Sequence, residues 1–205
     1  MPIRLAALAL VLLAPLAAAP AQSQDAAAVE ALSRDLRADQ RAHLWRVGAW
    51  GVANAVGGTA LWLTASADRP LGRRAFGLQS AAWGAVNTGI AVVGLAAGPG
   101  RVTGDWATAL GAENGYADVL LVNLGLNVGY AAVGAMLWAV SGRGVSNPEA
   151  WRGHGQALVL QGLGLLVLDG VAYLGTRARL GALIELASRA AVVPSAEGVA
   201  LVVSW

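Results

Sequence analysis

The chain has 205 residues, of which 57% are hydrophobic and only 13% charged, whereas soluble globular proteins have about 25% charged residues. This composition indicates a membrane protein, and the absence of cysteine excludes disulfides, thiolate metal sites and iron–sulfur clusters. The net charge is only +2 and the arginines are scattered without a basic stripe, so we expect no nucleic-acid partner.

Residues 1–21 predict a secretory signal peptide. Arg4 supplies the positive start, and the apolar run that follows it is too short to span a bilayer. The tripeptide Ala19-Pro20-Ala21 fits a small-residue cleavage site, with residues 17–19 as the other candidate. We therefore expect a mature chain that begins near Gln22 outside the cytoplasm. An uncleaved membrane anchor is the alternative.

Residues 22–46 are charged and rich in alanine. Their apolar side chains recur near helical spacing, at Val29, Leu32, Leu36 and Leu44, which predicts an amphipathic helix. We expect this helix to lie outside the cytoplasm, against the outer leaflet or over the mouth of the bundle, with its charges in solvent.

Four apolar stretches, each about twenty residues long and nearly free of charge, come next. They cover residues 47–65, 76–97, 119–140 and 155–175. A helix of about twenty residues is about 30 Å long, which matches the hydrocarbon core of a bilayer. We therefore predict an all-α fold, a transmembrane four-helix bundle over residues 47–175.

Glycine is abundant, with 27 residues, as is common where membrane helices approach one another closely. Gly125 and Gly129 are four residues apart, and Ala49, Ala53 and Gly57 form a similar run. We expect both sets to mark contacts between helices.

Arginines in the connections predict the orientation of the bundle. They are commoner in residues 66–75 and 141–154 than in residues 98–118. The positive-inside rule then places the first and third connections in the cytoplasm, in agreement with the signal peptide. Arg177 and Arg179 disagree with this orientation, because it places them outside.

The last segment, residues 176–205, is predicted as an extracytoplasmic tail. Residues 180–193 favour a short interfacial helix that Pro194 ends, and residues 198–205 favour β structure. The four long apolar stretches argue against an outer-membrane barrel.

Polar side chains inside the apolar stretches are the candidate site. Counted from the outer ends of the spans, they lie in the middle and outer half of the bundle. They form a predicted polar cluster of Asn54, Asn87, Asn123, Asn127, Gln161 and Asp169. The asparagines either lock the helices together or serve a function. Asp169 is a functional candidate, because it is the only charged residue inside any of the four stretches.

Catalytic chemistry has little support in the sequence. The two histidines, His43 and His154, are predicted at opposite faces of the membrane, so they cannot share a metal ion or a haem. No serine within a span has a histidine nearby, and no metal-ligand or phosphate-binding motif occurs. We expect no catalytic residues, no metal and no cofactor.

Residues 76–95, 123–134 and 153–173 resemble an uncharacterised family of small bacterial membrane proteins with four helices, a signal sequence and a domain of unknown function. The resemblance covers residues 44–174. The positions that match its motifs are Trp50, Asn54, Trp83, Asn87, Asn123, Tyr130, Gln161, Gly162 and Asp169. The resemblance implies no known activity.

This chain departs from the family pattern in two places. The pattern has Phe-His-x-Met-Asn where this chain has Phe76-Gly77-Leu78-Gln79-Ser80, and an aspartate where this chain has Asn127. These departures remove a histidine and a charge, so the resemblance does not carry proton transfer or metal binding to these positions.

Together these features predict a non-enzymatic protein of the bacterial inner membrane. Its polar cluster either locks the bundle or binds a small ligand or a partner helix, with the lipid bilayer and a membrane protein or second copy as expected partners. The alternative is a small transporter or channel-like protein with an outward-facing polar cavity. A hydrated cavity that reaches the cluster favours the alternative, and a dry, fully paired network favours the first interpretation.

Overall fold

A computed structural model describes the backbone of residues 19–65, 71–190, 192–195 and 198–201, and the side chains of residues 25–65 and 71–188. Residues 1–18 of the predicted signal peptide and residues 202–205 of the tail lie outside this description. The elements are α1 (Ala19–Thr64), α2 (Leu71–Ala97), α3 (Trp106–Val140), α4 (Pro148–Ala190), β1 (Val192–Ser195) and β2 (Gly198–Leu201). The all-α prediction is confirmed for the described residues, with a short antiparallel hairpin of β1 and β2 after the helices.

The helices pack as two hairpins. α1 lies along α2, α3 lies along α4, and α4 also contacts α2 and α1. α2 and α3 are not among the closely packed pairs. Of the six helix pairs, α2 and α3 therefore pack least closely against each other.

Three helices, α1, α3 and α4, extend far beyond the apolar stretches that identify them. α1 runs through the predicted amphipathic segment without a break, α3 begins at Trp106, and α4 continues to Ala190. The connection expected over residues 98–118 is therefore mostly helix. The tail helix expected over residues 180–193 is the last part of α4. α4 ends at Ala190, and Pro194 lies in β1.

These three extensions lie at the same end of the bundle and form a small core of their own. Val29, Ala109 and Leu183 are buried together there. The Trp106 indole donates a hydrogen bond of 2.7 Å to the backbone oxygen of Leu183. Asp105 caps α3 by accepting a 2.8 Å bond from the Thr108 amide, which satisfies a free donor of the first turn.

Within the part of the chain that the structure describes, three helices are long and apolar enough to cross a membrane: α2, α3 and α4. The apolar half of α1 is less hydrophobic, because it contains Asn54, two tryptophans and several glycines. Large apolar side chains on the outside of the bundle include Val56, Val93 and Leu174, which are 66%, 69% and 69% exposed. Such extensive apolar exposure is unusual in water and typical of a surface that faces lipid.

Glycines bring α1 and α2 into close contact. A Cβ atom added to Gly84 would lie 2.2 Å from the Ala55 nitrogen, and one added to Gly58 would lie 2.4 Å from the Ala81 nitrogen. In α3, a Cβ on Gly134 would lie 2.7 Å from the Gly155 oxygen of α4. The helix backbones therefore touch at these points, where no side chain fits.

The glycine positions expected from the sequence were wrong. A Cβ atom on Gly57, Gly125 or Gly129 would meet nothing within 4 Å in the described chain. The expected small residues and the glycines that make the contacts both have helical spacing. Spacing alone does not tell which face of a helix meets its neighbour.

The Gly84→Ala variant tests this contact. We expect it to lower the thermal stability of the purified protein by about 1–3 kcal/mol, because the added methyl group forces α1 and α2 apart. Gly57→Ala is the matched control and should leave the melting temperature unchanged or slightly higher. Equal melting temperatures for the two variants would contradict the close contact.

Candidate ligand cavity

A cavity of about 330 Å³ lies in the half of the bundle next to the helical extensions. All four helices contribute to its wall, and most of the lining is apolar. Its polar side chains are Gln40, His43, Asn87, Tyr116, Asn123, Asn127, Tyr130 and Asp169. The cavity therefore brings together four residues of the predicted polar cluster, Asn87, Asn123, Asn127 and Asp169, with four that were not in it.

Asp169 is the polar centre of this cavity. Its Oδ2 atom accepts a 2.7 Å hydrogen bond from Asn127 Nδ2, and its Oδ1 atom lies 3.1 Å from His43 Nε2. All three side chains are buried, with exposed fractions of 3–6%. A buried carboxylate is costly unless its oxygens are bonded, and here a donor is available for each. One residue of α4 thus ties α3 to α1.

Three buried polar atoms on residues that line the cavity have no hydrogen-bond partner among the described residues. They are His43 Nδ1, Asn87 Nδ2 and the Tyr116 hydroxyl oxygen. When Asp169 is ionised, His43 Nε2 carries the shared hydrogen, so Nδ1 accepts if the ring is neutral and donates if it is charged. An unpaired buried group costs about 1–3 kcal/mol, which a polar molecule in the cavity would offset.

A second polar group lies deeper in the bundle and is fully paired. Trp50 Nε1 donates to Gln161 Oε1 at 3.0 Å, and Gln161 Nε2 donates to Asn54 Oδ1 at 2.6 Å. Asn54 Nδ2 then donates to the Trp50 backbone oxygen at 2.8 Å. Gln161 is 1% exposed, and none of the three residues lines the cavity. Asn54 and Gln161 therefore form a lock between α1 and α4, apart from Asp169.

An aromatic pair marks the inner end of the cavity, which is the end farther from the helical extensions. The rings of Trp83 in α2 and Tyr130 in α3 have centroids 4.6 Å apart, at an interplanar angle of 58°. Each ring lies one turn to the inner side of an asparagine that lines the cavity, Asn87 and Asn127 respectively. The pair bridges α2 and α3 at this depth, whereas the space on its outer side stays open.

Beyond the outer end of the cavity, which is the end nearer the helical extensions, an ion-pair network holds these extensions together. Arg179 Nε donates to Glu113 Oε1 at 2.5 Å, Nη2 donates to Thr176 Oγ1 at 3.0 Å, and Nη1 pairs with Asp39. Burial lowers the pKa of Arg179, but its bonds to Glu113 and the nearby carboxylates outweigh burial and raise it overall. Arg179 therefore stays charged and joins α4 to α1 and α3.

This network explains one disagreement in the sequence analysis. Arg179 was counted as a loop charge against the predicted orientation. It is instead 7% exposed and paired with two carboxylates, so it does not report on which side of the membrane the segment lies.

Tyr116 also belongs to this outer region, one turn from Glu113. Burial raises the pKa of its phenol, so the hydroxyl keeps its hydrogen at neutral pH and is available as a donor. Its ring meets His43 edge to face, with centroids 6.5 Å apart.

Sequence reasoning missed His43, Tyr116 and the Arg179 network because their segments were read as solvated surface. A signal for His43 was present. Val29, Leu36 and His43 follow one another at intervals of seven, which places them on one helix face, and all three are buried. The other histidine lies elsewhere, with His154 Nδ1 3.0 Å from Gln79 Oε1.

The described residues contain no group of three or more His, Asp or Glu side chains that could hold a metal ion. The lining of the cavity also contains no serine, threonine or cysteine, the usual side-chain nucleophiles. The arrangement offers donors, acceptors and aromatic rings, which suits recognition of a small molecule.

Fold and site thus define a class, a four-helix bundle with an apolar exterior and, at one end, a largely apolar cavity that carries several polar side chains. A family model described as a family of unknown function, DUF6992, matches residues 46–170. The chain belongs to this family. No curated protein and no solved structure matches the chain. The match includes Asn87, Asn127 and Asp169, whereas His43 and Arg179 lie outside it.

The Arg179→Met variant tests the ion-pair network. We expect a loss of about 3–5 kcal/mol in stability, because Glu113 would be left buried without its cation. Arg177→Met is the matched control, since Arg177 is an exposed residue two positions away on α4, and it should melt like the wild type. A small, equal effect of both substitutions in thermal unfolding would show that Arg179 does not hold the extensions.

Proposed function

We propose that this protein is a multi-pass protein of the bacterial cytoplasmic membrane that binds a small molecule in the Asp169 cavity and is not an enzyme. The observation that carries the proposal is the set of unpaired buried donors and acceptors beside a carboxylate that is itself already bonded. The mature N-terminus and the helical extensions lie outside the cytoplasm, and α1 crosses the membrane with the other three helices.

The charges at the two ends of the bundle support this orientation. Arg73, Arg74, Arg143 and Arg152 lie at or near the helix ends that are remote from the extensions, as the positive-inside rule requires of the cytoplasmic side. α1 packs along α2 and exposes apolar side chains such as Val52 and Leu63, at 49% and 69%. This surface is suited to lipid even though α1 is the least hydrophobic of the four.

Binding of a small molecule accounts for the difference between the two polar groups better than a role in holding the helices together does. The Trp50–Gln161–Asn54 group pairs its side chains and locks α1 to α4. The Asp169 group leaves Asn87 Nδ2 and the Tyr116 hydroxyl without partners although both are buried. A purely structural network would gain stability from pairing these atoms.

The depth of the cavity favours binding over transport. On its inner side, the Trp83–Tyr130 contact bridges α2 and α3, and the Gln161 group bridges α1 and α4. These contacts lie between the cavity and the cytoplasmic end of the bundle. A transported molecule would have to break both, whereas a bound molecule needs neither to change.

The test is to recover a small molecule with the full-length protein. The protein is extracted with its native lipids, and the molecules it releases are quantified by mass spectrometry. We expect one compound to be enriched with the wild type and to fall about tenfold with Asn87→Leu, which keeps the branched shape of the side chain but removes the amide.

Ser80→Ala is the control for this experiment. Ser80 is buried in the same helix and its hydroxyl is also unpaired, but it does not line the cavity. Recovery should therefore equal that of the wild type. If Asn87→Leu folds normally and retains the same compounds as the wild type, the cavity is not a binding site.

A further inference from the structure

Exposed residues in the cavity lining indicate a side opening between α2 and α3. Outside the Trp83–Tyr130 pair, its lining continues to Ile90 on α2 and Leu126 on α3. These two side chains are 56% and 48% exposed, so they reach both the cavity and the outer surface. Both belong to predicted membrane spans. The opening is therefore edged by apolar side chains at a depth where acyl chains surround the protein.

The charges in the cavity favour a neutral ligand. Asp169 repels an anion, and its two oxygens already lie within hydrogen-bond distance of Asn127 and His43, so a cation would have to compete with them. The groups left over include the amide nitrogen of Asn87 and the hydroxyl of Tyr116. Both donate hydrogen bonds, which suits carbonyl oxygens on the ligand.

The size and lining of the cavity favour a flat ring. Its volume of about 330 Å³ is at the lower end of the range of about 300–1,000 Å³ for small-molecule sites. The rings of His43, Trp83, Tyr116 and Tyr130 contribute to its wall. Such a space holds a head group of one or two rings, and any long chain attached to it must leave through the side opening.

We propose that the cavity binds the head group of a membrane quinone, whose hydrocarbon tail passes between Ile90 and Leu126 into the outer leaflet. One quinone carbonyl accepts a hydrogen bond from Asn87, and Tyr116 is the donor for the other. This assignment rests on the proposed function, because it names the molecule that the cavity binds.

The test measures binding of a benzoquinone with a ten-carbon alkyl chain. The full-length protein is placed in phosphatidylcholine nanodiscs, and the dissociation constant is obtained by titration calorimetry. We expect saturable binding to the wild type. Leu126→Trp should weaken it about tenfold or more by filling the opening, and Asn87→Leu should weaken it about tenfold by removing a donor.

Leu121→Trp is the matched control for the opening. Leu121 lies on the same helix, is 56% exposed and does not line the cavity, so this variant should bind like the wild type. If Leu126→Trp does not fold, Ile90→Trp narrows the opening from the other side. Val93→Trp is then its control, because Val93 is 69% exposed and away from the cavity.

The outcomes separate this inference from the proposed function. Equal affinity of the wild type and the folded Leu126→Trp or Ile90→Trp variant would overturn entry between α2 and α3. Absence of quinone binding, together with an Asn87-dependent compound of another class recovered from membranes, would overturn the quinone assignment and keep the binding function. Absence of any Asn87-dependent compound would overturn both.

Discussion

The contact of Asp169 with Asn127 and His43 is the interaction on which the rest of the site depends. Asp169 is a carboxylate in an apolar bundle, so it can be buried there only with hydrogen-bond donors from neighbouring helices. Asn127 reaches it from α3 at 2.7 Å and His43 from α1 at 3.1 Å. Because His43 belongs to the extension of α1, the same contact attaches the helical extensions to the rest of the bundle. The cavity exists where these three helices meet and α2 stands apart from α3.

The molecule separates two tasks that polar side chains can perform inside an apolar helix bundle. In the middle of the bundle, Trp50, Gln161 and Asn54 satisfy one another and hold α1 against α4. Near the helical extensions, Asp169 is hydrogen-bonded, while Asn87 and Tyr116, which line the cavity, each have a buried polar atom without a partner. Further out, Arg179 binds two carboxylates and fixes the extensions above that cavity. Rigid contacts thus lie on both sides of the open space, as a preformed binding site requires.

Much of the fold could be predicted from the sequence, because runs of about twenty apolar residues have few structural solutions. The helix ends could not be predicted, because charged residues such as Glu113 and Arg179 suggest loops when their partners are unknown. Counting residues placed Asn127 near the middle of the bundle and Asp169 somewhat nearer the outer surface, whereas the two side chains are hydrogen-bonded. It did not separate Gln161 from Asp169, although eight residues of helix span about 12 Å. His43 and the contact glycines depend on which face of a helix is buried, and only packing decides that.

The most direct test of the account is the imidazole nitrogen spectrum of the full-length protein in nanodiscs. The chain has only two histidines, so a His154→Gln variant leaves His43 as the sole signal. We predict an Nε2-bonded hydrogen that exchanges slowly with solvent and a chemical shift that changes in Asp169→Asn. A freely exchanging imidazole that does not respond to Asp169→Asn would contradict the contact and the cavity built around it.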